Sequence, residues 1–336
     1  MTPAANSPAR PGAAATASQA RQAGAALLTA MLTVALVASL AAGALWQQWR
    51  SVEVEAAERA RVQSLWLLTG ALDWARLILR EDARENARSG GADYLSEPWA
   101  VPLEEARLST FLAADKKTDP DDEANASQTF LSGLITDLQS RLNVINLVDS
   151  AGKVSEPSLK AFAKLFELLG LPPGELQVLV ENLRLTLDAS PENAAAPQAP
   201  LLPQRIDQLV WLGLSPSSLA VLRPYITLLP VRTPVNLNTA SATVLSACIP
   251  SLEMGQAQRL VNTRQANHFK TLAEVTAQLG QTAVPLNESE HSVNSRFFEV
   301  QGRLRLDQAV VEEHSVVQRD GLEVKTLWRD RGAVAP

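Results

Sequence analysis

The chain has 336 residues, of which 30 are basic and 36 are acidic, and its formal net charge is −6. Apolar residues make up 46% and charged residues 20%, a composition that excludes wholesale disorder. The mildly acidic balance argues against a protein that coats nucleic acid. The single cysteine, Cys248, excludes an intramolecular disulfide framework and a zinc site built from cysteine pairs, and three histidines leave little material for a histidine-rich metal centre.

The sequence contains none of the short motifs that mark common catalytic sites. It has no G-x-S-x-G elbow, no Gly-rich phosphate loop and no H-E-x-x-H pair. Cys248 lies in the apolar run Val244–Ile249, which is typical of a buried structural thiol. We therefore predict that the chain is not an enzyme, while a site assembled from distant residues stays open as an alternative.

The N-terminal region predicts a membrane anchor. Residues 22–49 carry no charge, and the apolar stretch 25–45 is long enough to cross a hydrocarbon core of about 30 Å as a helix. Trp46 and Trp49 follow it, as in an interfacial aromatic belt. Only basic charges precede the stretch, so the positive-inside rule places the N-terminus in the cytoplasm and the large C-terminal part outside it.

Three fates of this N-terminal segment are compatible with its residues. A secretory signal would be cleaved at the far end of the apolar stretch, although such signals have shorter apolar regions. A short hydrophilic leader would instead be cut at Gly24, where glycine offers a peptidase extended, accessible backbone. An ordinary anchor would not be cut at all.

The helix is expected to continue beyond the membrane. No proline occurs between Pro11 and Pro98, and apolar residues recur at spacings of three and four after residue 64. These residues are Leu65, Leu68, Leu72, Ala75 and Leu79. The pattern predicts one continuous helix over 25–88, with a break near Gly43 as the alternative.

The remaining chain alternates between strand-like and helical patterns. Residues 128–136 and 141–148 are typical of strands, and short helices separated by Pro and Gly are expected from about 156 to 280. From Ser292 apolar residues recur at every second position, and Asp320-Gly321 predicts a hairpin turn. Strands on both sides of a helical region indicate an α+β domain that carries the helical region as an insertion.

Several motifs, in this order, resemble one family. The family is the large minor pseudopilin of type II secretion systems, general secretion pathway protein K. The motifs are Arg21-Gln-Ala-Gly24 before the apolar helix, Glu97-Pro-Trp-Ala100, Ile135-Thr-Asp-Leu-Gln-Ser-Arg-Leu-Asn143, Leu222-Arg-Pro-Tyr-Ile-Thr-Leu-Leu-Pro230, Val235-Asn-Leu-Asn-Thr-Ala240 and Ser295-Arg-Phe-Phe-Glu-Val300. The resemblance covers nearly the whole chain after the leader.

The resemblance implies a type IV pilin-like α+β fold with a long N-terminal helix, an antiparallel sheet and an inserted all-α domain. The implied segments are a cytoplasmic leader (1–24), the transmembrane and amphipathic helix (25–90), the first pilin-like part (91–150), the inserted helical domain (151–285) and the C-terminal β part (286–336). A prepilin peptidase would cut after Gly24, and Ala25 would become the methylated N-terminus.

The resemblance also implies a role and partners. The chain would lie in the inner membrane with its C-terminal part in the periplasm, at the tip of a pseudopilus, where it would initiate or cap assembly and help export folded proteins across the outer membrane. Its partners would be minor and major pseudopilins, the prepilin peptidase, the inner-membrane secretion platform and lipid. Leu65, Leu68 and Leu72 are the residues expected to pack against neighbouring helices.

Position five after the expected cut is Thr29, where major pilin subunits carry a glutamate that neutralises the N-terminal amine of the preceding subunit. A carboxylate in an apolar layer is costly unless it is paired. A subunit that assembles first has no such amine to neutralise, so Thr29 favours the tip position.

Calcium is the only ligand that the sequence suggests, and no cofactor is assigned. The family often has an acidic, calcium-associated segment after the middle helices, but here residues 189–200 contain only one charge, Glu192. Four carboxylates in an earlier loop could offer oxygen ligands, but their spacing matches no EF-hand and a solvated loop is the alternative. They are Asp119, Asp121, Asp122 and Glu123.

A second resemblance lies inside the helical region. Residues 235–245, 257–264 and 269–275 are similar to a helix-hairpin-helix unit of DNA-uptake proteins. In the DNA-binding version, the hairpin offers backbone N–H groups to phosphate. Here Glu253 lies at the hairpin tip, where a carboxylate would repel phosphate. We expect a structural or protein-contact role, and a membrane-anchored periplasmic DNA-binding protein is the alternative function.

Overall fold

The computed structural model describes residues 15–107, 129–187, 200–280, 286–306 and 309–334, with side chains from residue 25. The chain divides into two compact parts, residues 1–63 and residues 64–336. The described residues of the first part form the first portion of helix α1, which as a whole spans Ala15–Ser89. From residue 25 to residue 59 every side chain is exposed.

Helix α1 has no break at Gly43, so the prediction of a long N-terminal helix is confirmed. The helix begins before the predicted span, at Ala15. The residues from Ala15 to Gly24 are rich in alanine, the strongest helix former, which explains the early start. In this uncut chain Gly24 is therefore helical rather than extended.

The second part is built on a five-stranded antiparallel sheet with the order β1-β2-β7-β8-β9. Strands β1 and β2 precede the helical block, and the other three follow it. Their bounds are Leu103–Arg107 (β1), Thr129–Asp137 (β2), Phe297–Leu306 (β7), Ala309–Asp320 (β8) and Glu323–Val334 (β9).

The last turns of α1 pack on one face of this sheet. Leu68 packs in one apolar cluster with Leu131 of β2 and Leu304 of β7. In the following turns, Leu72 and Leu79 are buried against the strands. Gly302 lies under Leu68, where an added Cβ would come within 3.2 Å of the leucine Cδ2 atom. A glycine at this position therefore allows the helix to lie close to the sheet.

The helical block lies between β2 and β7. Over the described residues it contains six α-helices, a seven-residue 3-10 helix and four short strands, which form two parallel pairs. The helices are α2 (Glu156–Leu168), α3 (Pro173–Leu187), α4 (Pro216–Leu222), α5 (Ala242–Cys248), α6 (Met254–Ala266) and α7 (Leu272–Leu279), with a 3-10 helix at Ile206–Leu212. The short strands are β3 (Leu142–Asn143), β4 (Ile226–Thr227), β5 (Val235–Asn236) and β6 (His291–Ser292).

The core of the block begins earlier in the chain than predicted. Leu142, Val144 and Leu147 pack in the helical core, and β3 pairs in parallel with β4 inside the block. A separate cluster joins the block to the sheet by placing Leu229 beside Phe297 and Val316. The structural transition therefore falls near residue 140 rather than at 151.

Two strand predictions differ from the structure. Residues 141–148 form only the short strand β3 followed by a 3-10 turn, because the Asn143 side chain accepts a hydrogen bond from the N–H group of Ile145 at 3.3 Å and bends the chain. The C-terminal tail has three long strands, whereas the sequence indicated two. Strand β8 was missed because Glu313 interrupts its apolar alternation, yet this carboxylate is buried and paired with Arg331.

Strand β9 is an edge of the sheet, and its N-terminal end is capped by a side chain of α1. The guanidinium of Arg76 donates two hydrogen bonds to the Val324 carbonyl oxygen, at 3.0 Å from Nε and 2.7 Å from Nη2. The pairing of β9 with β8 is also irregular opposite Val316 and Val317, where an extra residue is accommodated.

Replacing Leu68 by alanine should reduce the free energy of unfolding by about 2–5 kcal/mol, because the side chain is 1% exposed and its removal leaves a cavity under the helix. The matched change Leu65→Ala, at a side chain that is 41% exposed, should have a much smaller effect. Urea unfolding of the full chain in detergent, followed by tryptophan fluorescence, measures both. Equal losses for the two variants would contradict the observed packing.

Candidate functional site

The membrane-spanning candidate is the first functional feature. Within the described residues, one helix, Ala25–Arg88, is long and apolar enough to cross a membrane, and none of its most apolar window is buried. The Thr29 hydroxyl group is hydrogen-bonded within its own helix, since Oγ1 lies 3.1 Å from the carbonyl oxygen of Ala25 and 2.9 Å from that of Ala26. This side chain therefore needs no polar partner from another chain.

The three leucines predicted to pack against neighbouring helices do not act alike. Leu68 and Leu72 are buried against the chain's own sheet, at 1% and 2% exposure, so they offer almost no surface to a neighbour. Leu65, in contrast, is substantially exposed. For Leu68 and Leu72 the prediction needs correction, because the apolar stripe of α1 faces the sheet of the same chain.

A different stripe of α1 is available to other proteins. Trp66 and Trp74 are 69% and 56% exposed, and Leu77 is also exposed. Spacings of eight and three residues place them on one side of the helix. Gly70 lies between the two tryptophans with open space at its Cα, so the stripe contains a notch. Sequence reasoning missed this surface because its aromatic residues were not separated from the inward-facing leucines.

The main polar site in the second part is a buried junction, here called the acidic junction: Asp82, Asp93, Glu97, Asp137 and Arg319. Arg319 of β8 donates to Asp82 of α1 at 2.5 Å and to both carboxylate oxygens of Asp93 at 2.6 and 2.7 Å. The side chains of Arg319 and Asp93 are 7% and 0% exposed. One guanidinium thus joins the end of the helix, the following loop and the sheet.

The junction extends into the helical block through Asp137, at the end of β2. Its carboxylate accepts hydrogen bonds from the Asn236 amide at 3.1 Å, from the Thr239 hydroxyl at 2.5 Å and from the Ser295 hydroxyl at 2.6 Å. Burial raises the pKa of Asp137 to about 6, and these donors oppose the rise. The motif Val235–Ala240 therefore supplies two hydrogen-bond donors, Asn236 and Thr239, to a buried carboxylate.

Glu97 lies beside the same pair of aspartates, in the loop that follows α1. Its Oε2 atom accepts hydrogen bonds from the Tyr94 backbone N–H at 2.8 Å and from the Trp99 indole Nε1–H at 2.7 Å. One of its carboxylate oxygens lies within 4.8 Å of carboxylate oxygens of Asp82 and Asp93. Burial raises the pKa of Glu97 to about 8, and the charge of Asp82 adds to the rise.

The junction was not predicted, although its motif residues were noted. Glu97 and Trp99 belong to Glu97-Pro-Trp-Ala100, and Asp137 belongs to the motif that begins at Ile135. The partner that unites them, Arg319, is 237 residues from Asp82 in the sequence. The available sequence signal for this junction was the presence of Glu97 and Asp137 in short motifs that are otherwise largely apolar.

The acidic junction is not assigned as a metal site. Among the described residues, one set of three carboxylates, Asp82, Asp93 and Glu97, brings its potential ligand atoms within 4.8 Å of one another. Arg319 already supplies the positive charge between the two aspartates. The calcium candidates Asp119, Asp121, Asp122 and Glu123 lie outside the described residues.

The helix-hairpin-helix region forms helices α5, α6 and α7. At its hairpin Ser251 has a positive φ of 62°, and Glu253 precedes the first turn of α6 with an exposed side chain. Arg264 of α6 points inward and donates to the Leu237 carbonyl oxygen at 2.6 Å. The basic residue thus has a structural role, and the hairpin presents a carboxylate where phosphate would approach.

Cys248 and two of the histidines make contacts within the folded chain. Burial raises the pKa of the Cys248 thiol to about 12, so thiolate is scarce at neutral pH. His291 is buried with both ring nitrogens close to carbonyl oxygens, and the His268 ring stacks on Tyr94 with centroids 3.7 Å apart.

Comparisons with known proteins agree with this architecture. Residues 140–231 and 235–294 match two family models, each described as type II secretion system protein K. Type II secretion system protein K of Pseudomonas aeruginosa is 29% identical over 332 residues, 93% of each chain. A solved structure from the GspK-GspI-GspJ complex of the enterotoxigenic Escherichia coli type 2 secretion system matches with TM-score 0.60 and 18% identity, covering 82% of this chain and 98% of that chain.

A long apolar N-terminal helix, an antiparallel sheet and an inserted helical block together form a pilin-like fold. The first family match begins at residue 140, where the structure places the transition to the helical core. The chain is thus similar to type II secretion system protein K, over residues 140–231 and 235–294 by the family models and over most of its length by the Pseudomonas aeruginosa relative. Its apolar N-terminal helix fits a single-pass membrane anchor.

Replacing Arg319 by methionine should cost about 3–5 kcal/mol of folding free energy, because Asp82 and Asp93 would stay buried without their cation. Arg303→Met is the matched control, since Arg303 forms an exposed ion pair with Glu312 and its loss should cost about 1 kcal/mol or less. Urea unfolding of the full chain in detergent measures both. A loss for Arg319→Met no larger than that for Arg303→Met would refute the role given to Arg319.

Proposed function

We propose that this chain is the minor pseudopilin that occupies the tip of a type II secretion pseudopilus, where it initiates or caps assembly and helps export folded periplasmic proteins across the outer membrane. The observation that carries the proposal is α1, which buries one stripe against its own sheet and leaves a second, apolar stripe exposed. A helix of this kind is suited to side-by-side packing with other helices.

The partners proposed for the exposed stripe are the N-terminal helices of other pseudopilins, minor and major. Trp66, Trp74 and Leu77 offer a large apolar contact, and the notch at Gly70 allows a second helix to approach closely. The related Escherichia coli chain was solved in a complex named GspK-GspI-GspJ, which supports minor pseudopilins as partners.

Thr29 supports the tip position. An internal subunit needs a carboxylate near this depth to meet the N-terminal amine of its neighbour, and Thr29 instead hydrogen-bonds its own helix. The helical block adds a second argument. An internal subunit must fit between neighbours on both sides, and the large insert between β2 and β7 makes such a fit harder.

Membrane insertion and processing complete the proposal. We infer that residues 1–24 form a cytoplasmic leader, that a prepilin peptidase cuts between Gly24 and Ala25, and that Ala25 is then N-methylated. The mature chain would be anchored in the inner membrane with its folded part in the periplasm, in contact with the secretion platform. The exposed apolar span supports the anchoring step.

Gly24→Leu should block processing, since a bulky side chain at the cut prevents the backbone from entering the peptidase. The membrane-extracted variant should retain the leader and lack N-methylation by intact mass, and secretion should be lost. Gly43→Leu is the control, because Gly43 lies in the same helix with open space around it and its substitution should leave processing normal. A mature-sized Gly24→Leu protein would contradict the proposed cut.

Glu substitutions at Trp66 and Trp74 should separate assembly from folding. Both side chains are exposed, so the free energy of unfolding should change little, while a buried carboxylate in a helix–helix contact should reduce co-purification of the other minor pseudopilins about tenfold or more. Leu201→Glu, at an exposed leucine of the helical block, should leave co-purification unchanged. Unchanged recovery with the double variant would exclude this stripe as the contact.

A further inference from the structure

The acidic junction contains more carboxylates than positive charges. Asp82, Asp93, Glu97 and Asp137 surround a single guanidinium, that of Arg319. Arg319 pairs with the two aspartates of α1 and the loop. Asp137 has no cation, but four N–H and O–H groups donate to it. Glu97 has neither a cation of its own nor such a set of donors.

The position of Glu97 indicates that it holds a proton. Its Oε2 atom accepts hydrogen bonds from the N–H groups of Tyr94 and Trp99; these donors oppose the rise in its pKa, and they leave Oε1 as the oxygen that carries the proton. One carboxylate oxygen from each of Asp82, Asp93 and Glu97 lies within 4.8 Å of the other two, and such a close set of carboxylates is stabilised when one of them holds a proton. Asp82 is already bonded to Arg319, so the charge belongs on Asp82 and the proton on Glu97.

We propose that Glu97, by donating its carboxyl proton to Asp82, acts as a pH-sensitive latch that fastens the loop after α1 to the end of that helix, and that loss of the proton loosens the junction of helix, sheet and helical block. At low pH the O–H group of Glu97 donates a hydrogen bond to the Asp82 carboxylate, and at high pH the proton is transferred to water.

The groups around the latch come from every element packed there. Asp82 lies on α1, Asp93 and Tyr94 on the loop, Arg319 on β8, and Asp137 at the end of β2. His268 of the helical block stacks on the ring of Tyr94, which lies in the loop, so the two segments are in direct contact. Arg319 is the only cation in this group, and both of its charged contacts are with aspartates.

The direction of the pH effect follows from the pKa of Glu97. Its pKa rises from 4.5 to about 8 in the folded protein, so the folded state binds the proton more tightly than the unfolded state. The stabilisation is complete below pH 4.5 and is lost as the pH rises toward 8. The pKa of Asp137 is raised to about 6, which acts in the same direction over a lower pH range.

The test uses Glu97→Gln in the full chain, held in detergent. Glutamine keeps an oxygen acceptor for Trp99 and Tyr94 and offers a permanent N–H donor to Asp82, so it imitates protonated Glu97. Near pH 5 the variant and the native chain should unfold at the same urea concentration. Near pH 9 the native chain should have the larger unfolding constant by about tenfold or more, since each pKa unit corresponds to tenfold.

Two further measurements keep the result interpretable. Infrared spectra should show a protonated carboxyl band at neutral pH that disappears on titration to alkaline pH and is reduced in Glu97→Gln. Glu104→Gln, at an exposed residue of β1, should behave as the native chain at every pH. The latch is overturned if Glu97→Gln is destabilised equally at both pH values, or if the carboxyl band is the same in native and variant chains. Because these readouts need no other pseudopilin, they stand apart from the proposed assembly role.

Discussion

The ion-paired guanidinium of Arg319 is the interaction on which the rest of the second part depends. It binds Asp82 of α1 and Asp93 of the next loop, and it also donates to the Ser295 carbonyl oxygen at 2.8 Å. Burying charges is costly unless each has a partner, so the helix end, the loop and the sheet must all be in place together. The neighbouring carboxylate Asp137 then connects this centre to Asn236 of the helical block. The insertion is thereby fixed to the sheet by polar contacts as well as by the apolar cluster at Leu229.

Periodicity made the larger elements predictable from the sequence. The spacing of Leu68, Leu72 and Leu79 defines the buried stripe of α1, and alternation in β7 defines its buried face, because both patterns depend on neighbouring residues only. The features that the sequence did not predict depend on contacts between residues that are far apart in the chain. Strand β8 carries a buried carboxylate, Glu313, which local alternation does not predict because the arginines of β9 that neutralise it lie elsewhere in the sequence. The acidic junction was invisible for the same reason, since its ligands are separated by most of the chain.

Helix α1 serves two surfaces with a single amphipathic pattern. Residues such as Leu68 contact the chain's own sheet, while Trp66 and Trp74 stay exposed on another side. The sequence pattern alone places all of these apolar residues in one helix. It does not show which of them contact the chain's own sheet and which stay exposed. Burial makes this division, and it moves the proposed assembly contact from the inward leucines to the tryptophans.

The cap on strand β9 has a consequence for how copies of this protein meet. An uncovered edge strand invites backbone pairing with any other sheet, and such pairing adds units without limit. Arg76 occupies the Val324 carbonyl oxygen, and the irregular pairing opposite Val316 disturbs the repeat that an incoming strand would need. In the proposed assembly, the interrupted edge of β9 disfavours backbone pairing between neighbouring sheets. Side chains, which discriminate between partners where backbone groups cannot, would then carry lateral recognition.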